Sequence, residues 1–124
     1  MTAPLRYLEF DCSEDTQGCS TFDVMASTEA SHVAAVRAEI ARVLDWAYAA
    51  FPDGQAPLDD GGEWDYDLHS QQEWTAPETL VYDENTHEFT DFMLEPSGPR
   101  HTVTLSVSGS PQFSEAFRAQ FGVV

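Results

Sequence analysis

The chain contains no lysine, and its only basic residues besides histidine are five arginines: Arg6, Arg37, Arg42, Arg100 and Arg118. Against them stand 22 acids, for a formal net charge of −17. A field of that sign repels nucleic-acid phosphates and anionic membranes, so direct binding to either is not expected. It favours basic partners or cations. Long apolar runs are missing as well, and none approaches the roughly 20 residues of a membrane helix. The opening residues, Met1-Thr2-Ala3-Pro4-Leu5-Arg6, lack the basic and apolar regions of a secretory signal. The cytoplasm is therefore the expected compartment.

Cysteine is scarce: Cys12 and Cys19 are the only two. Leu8, Phe10 and Cys12 alternate on one face of a first predicted strand, and Phe22 and Val24 on one face of a second. Burying both sets together turns Cys19 to the face opposite Cys12, which predicts two free thiols rather than a disulfide. No second Cys/His pair completes a zinc pattern.

Motifs for chemistry are equally sparse. There is no Gly-x-Ser-x-Gly elbow and no glycine-rich loop leading into a lysine-bearing helix. The histidines His32, His69, His87 and His101 lie on separate predicted elements. No catalytic residue, cofactor or metal is assigned on this basis, and the chain is not expected to be an enzyme. The sequence assigns no oligomeric state.

What is present is enough for a core. The 124 residues are 42% hydrophobic and include three Trp, four Tyr and eight Phe, which suits one domain over residues 1–124 and argues against disorder. Residues 5–12 and 20–26 read as strands around the turn 13–18. Val33, Val36, Ile40, Leu44, Ala47 and Phe51 recur at steps of three and four, predicting a helix from about 29 to 51. Ser27 or Thr28 is the expected cap. Glu39, Arg42 and Asp45 fall on a face that water can cover.

Beyond the loop 52–62, Trp64, Tyr66 and Leu68 alternate with Glu63, Asp65, Asp67 and His69 as in a strand with one wet face. Segments 79–83, 87–95 and 101–108 read as further strands. Ser110, Pro111 and the phenylalanines 113, 117 and 121 predict a closing helix over about 111–121, ended by Gly122. The expected architecture is α+β: a two-layer sandwich in which a mainly antiparallel sheet of 5–6 strands carries both helices on one face.

The charge is unevenly spread. Residues 43–99, 57 positions, hold fourteen acids and no Arg or Lys; elsewhere eight acids face five arginines. The leading expectation is an interaction module that binds a basic protein through an acidic, tryptophan-containing surface. Its candidate residues are Asp65, Asp67, His69, Asp59, Asp60, Glu63, Trp46 and Trp74. An alternative is a metal-dependent or acid/base enzyme using Asp65, Asp67 and His69. A third reading is a small-molecule module with its pocket between the long helix and the sheet.

Overall fold

The structure, a computed structural model, describes residues 5–95 and 98–123. Strand β1 (Asp11–Glu14) and strand β2 (Ser20–Glu29) form a hairpin. Asp15 makes its turn: the side chain accepts the amides of Gln17 at 2.8 Å and Cys19 at 3.0 Å. Gly18 supplies the left-handed backbone (φ 85°) that the turn requires. Helix α1 (Val33–Ala50) follows after a single 3-10 turn at Ala30–His32. Then come β3 (Trp64–Glu73), β4 (Glu78–Asp83), β5 (Glu88–Met93), β6 (Arg100–Gly109) and helix α2 (Pro111–Phe121).

All the ladders pair antiparallel. The predicted strands are there, but they divide into two sheets. Four strands form the main sheet in the order β1-β2-β6-β3, while β4 and β5 pair only with each other. Strand β6 thus lies between β2 and β3 as the centre of the sheet.

One face of this sheet carries the core. Phe22, Val24 and Ala26 of β2, Leu105 and Val107 of β6, and Trp64 of β3 are buried with Val36, Ile40, Val43 and Ala47 of α1. Phe113 and Phe117 bring α2 into the same cluster. Phe22 and Phe117 stack with centroids 4.2 Å apart, and Trp64 lies parallel to Phe113 at 5.6 Å. Burying each such ring stabilises the fold by roughly 1.5–3 kcal/mol. Helix α2 starts as its sequence predicts. Ser110 Oγ accepts the amide of Phe113 at 3.2 Å, Pro111 opens the first turn, and Gly122 (φ 67°) closes the last.

Three local expectations are corrected. The first strand is confined to Asp11–Glu14; residues 6–8 instead give their amides to the carboxylate of Glu39. Glu39 is accordingly buried rather than solvated. Neither Ser27 nor Thr28 caps α1, because β2 continues through both of them to Glu29. Ser27 Oγ is occupied by Arg100 Nε, which donates to it at 2.7 Å. Cys12 and Cys19 are both free thiols.

Candidate interaction surface

The face of the main sheet away from the helices is polar, and strand register fixes what stands together on it. Asp11 pairs with Asp23, Asp23 with Ser106, and Ser106 with Asp67, so three carboxylates share one row across four strands. Ser106 Oγ donates to Asp23 Oδ1 at 2.6 Å. The next row is Ser13, Thr21, Ser108 and Asp65. Asp65 also accepts from Gln55 Nε2 at 2.6 Å. An open cleft of about 670 Å³ lies over these rows, walled by Asp15 and Asp59 as well as Asp65 and Asp67.

The structure therefore brings Asp59, Asp65 and Asp67 together and separates the other expected residues. His69 is exposed one row further along β3, opposite Thr104. Asp60 is exposed on the short turn Leu58–Asp60, outside the cleft. Glu63 is used structurally: Ser110, the cap of α2, donates its hydroxyl to the Glu63 carboxylate.

Trp46 is half-buried among the rings of Phe51, Phe113, Phe117 and Phe121, which makes it a packing residue. Its position on α1, beside Ala47 and one turn from Val43 in the core, draws it inward. Trp74, just beyond the end of β3, is 66% exposed. Among the described residues, no three or more His, Cys, Asp or Glu side chains converge as a metal site. Successive outward residues of one strand stand ~7 Å apart. Asp65, Asp67 and His69 keep that separation along β3.

The fourteen acids of the base-free span do not all decorate the sheet. Seven of them, Glu73, Glu78, Asp83, Glu84, Glu88, Asp91 and Glu95, belong to the end of β3 and to the β4–β5 ribbon that follows. This ribbon springs from the end of the main sheet where Glu73 pairs with Arg100. Every residue in its two strands is exposed.

Register assigns its faces. Leu80 and Tyr82 share one face with Phe89 and Met93, while Val81 and Phe92 lie on the other. Leu80, Tyr82, Phe89 and Met93 are each at least 52% exposed. A turn holds the tip: Asp83 Oδ1 accepts the Asn85 amide at 2.8 Å, and Tyr82 OH bonds His87 Nδ1 at 3.2 Å. The Tyr82 and Phe89 rings sit 5.1 Å apart. An isolated two-stranded ribbon is marginal in water, and a run of exposed apolar side chains rimmed by charge is typical of a contact surface.

The Tyr48 phenol is raised above the ordinary tyrosine value, first by desolvation, then by its hydrogen bond with Tyr66 and the nearby charge of Asp65.

Among the described residues, no helix is long and apolar enough to cross a membrane. No protein-family model, curated protein or solved structure matches the chain.

The apolar ribbon is what sequence reasoning missed. Its residues carry the β signal of core strands, and only their failure to alternate over Phe89, Phe92, Met93 and Leu94 distinguishes them.

Proposed function

We propose that this chain is a non-enzymatic interaction module that docks a basic protein. The observation that carries the reading is the fate of residues 43–99. This span without arginine or lysine supplies β3 and the whole of an exposed ribbon, in which apolar and acidic side chains are interleaved. Apolar side chains such as Leu80 and Phe89 supply anchors that lose water on binding, where hot-spot energy concentrates. The surrounding carboxylates steer a positively charged partner and reject acidic ones.

Charge complementarity argues against a second copy of this chain as the occupant. Two copies of segment 74–99 would oppose six acids to six, with no Arg or Lys in either. The two free thiols are compatible with a reducing compartment, which supports a cytoplasmic setting for this reading.

The test is affinity capture with the full chain at low and high salt, followed by association kinetics with the recovered partner. The expected partner is basic and its on-rate falls steeply with salt. A Leu80→Ser/Phe89→Ser variant is expected to lose at least tenfold in affinity through faster dissociation. Recovery of no basic protein, or binding indifferent to salt, overturns the reading.

A further inference from the structure

The helix-covered face of the sheet holds a second cleft, of about 410 Å³. It exists because the core stops short of the sheet's end. Val36 and Ala26 are the last buried residues there, and the inner face of the cleft is made of Ala26's row and the one beyond it. Register defines these rows as Ala26–Val103–Ser70 and Thr28–His101–Gln72. The first turns of α1 overhang them through Val33, Val36 and Arg37, and Trp74 closes the outer end. The size falls within the roughly 300–1,000 Å³ of small-molecule pockets.

Its chemistry differs from that of the rest of the surface. In a chain with 22 acids, no Asp or Glu lines this cleft among the described residues. Its one formal charge is the guanidinium of Arg37, accompanied by the imidazole of His101. Neither side chain has a hydrogen bond or ion pair with any other described residue. By contrast, Arg100 is bound to Ser27 and Arg118 to Ser20 and Glu14. An arginine left unpaired in so acidic a molecule, above a floor of mixed apolar and neutral polar side chains, is arranged for an anion from outside. Its planar fork matches a carboxylate bidentately. Val33, Val36 and Val103 offer a body-sized apolar surface, and the exposed indole of Trp74 a flat one.

We infer that this cleft is a binding site for a small organic carboxylate with a flat apolar or aromatic body. Arg37 holds the carboxylate, His101 and Gln72 are placed to donate to it, and Trp74 covers the ring. The site lies on the face opposite the acidic rows and does not depend on the basic-partner reading; either can fail alone.

The probe is 1-naphthoate, titrated into the full chain by calorimetry and by NMR of the three indole N–H signals. Its uncharged amide, 1-naphthamide, is the matched control. Naphthoate is expected to bind and to shift the Trp74 indole signal, assigned with Trp74→Phe, while the Trp46 and Trp64 signals stay in place. The amide is expected to bind at least tenfold more weakly. Arg37 is exposed on its helix, so Arg37→Gln keeps the fold, checked by circular dichroism, and loses about tenfold in affinity. Arg37→Lys recovers only part, since an ammonium cannot grip bidentately. Equal binding of acid and amide, an unaffected Arg37→Gln variant, or no binding at millimolar naphthoate overturns the proposal.

Discussion

The buried carboxylate of Glu39 accepts the backbone amide of Tyr7 at 2.9 Å, across 32 residues of sequence. The same oxygen takes the amide of Leu8 at 3.2 Å, and both oxygens take that of Arg6 at 2.9 and 3.0 Å. A helix side chain thus does for residues 6–8 what a neighbouring strand would do in a ladder, and it seats Leu8 in the core. Removing the acceptor leaves buried amides unpaired, at about 1–3 kcal/mol for such a group. Glu39→Ala is expected to destabilise the fold by at least that amount in urea unfolding. Glu39→Gln, which keeps one acceptor oxygen, is expected to lose less. Equal losses from the two variants would show that packing, rather than the acceptor, is what matters.

This contact also shows where sequence patterns stop. The closing helix was legible because Ser110, Pro111, the phenylalanine steps and Gly122 act within one turn of the chain. Glu39 was assigned to a wet face because helical spacing says which residues share a face, and only tertiary placement says what lies above it. Leu68 fails for the same reason. It points to the helix side as its alternation with Trp64 predicts, yet remains 45% exposed, because β3 is an edge strand of the sheet. The row Asp11–Asp23–Ser106–Asp67 needed the strand order, in which β6 inserts between β2 and β3 from far along the chain. The apolar composition of residues 79–93 suits a core strand and an exposed ribbon equally.

Gly109 tests how closely α2 sits on the sheet. A Cβ at this position would stand 2.1 Å from a ring carbon of Phe113, which is itself fully buried. The ring is stacked against Trp64 and tilted against Phe51 and Phe117, so it has little room to yield. Gly109→Ala is expected to cost about 1–3 kcal/mol by overpacking, read as a lowered thermal midpoint. Adding Phe113→Leu is expected to give a double mutant less damaged than the sum of the two, because the second change relieves the clash made by the first.

Tyr48 supplies the pH dependence. Its phenol titrates above the ordinary tyrosine value because desolvation, the hydrogen bond with Tyr66 and the charge of Asp65 all disfavour phenolate. A raised acid pKa means that the folded state prefers the protonated form. The associated stability is fully present below the ordinary tyrosine pKa and is lost as pH rises through the folded value. With Tyr48 45% exposed, solvent screening keeps the effect small. Absorbance titration of phenolate is expected to show a step above the ordinary tyrosine range, and Tyr48→Phe to abolish it. The ring contact with Trp64, at 4.9 Å, survives in the phenylalanine variant, so a fold change would not explain the loss.

The ribbon is separable from the fold that carries it. Glu73 faces Arg100 as the last pair of the β3–β6 ladder, and residues 74–99 leave and return at that point. Replacing 74–99 with Asn-Gly converts β3 and β6 into an ordinary two-residue hairpin, the connection such strands favour. None of the buried core residues lies in the removed segment. The shortened chain is expected to fold cooperatively with a thermal midpoint within a few degrees of the parent, while capture of a basic partner is lost. A shortened chain that unfolds would mean that β4 and β5 support the sheet after all. One that folds and still binds the partner with salt-sensitive kinetics would move the docking surface to the row of Asp11, Asp23 and Asp67.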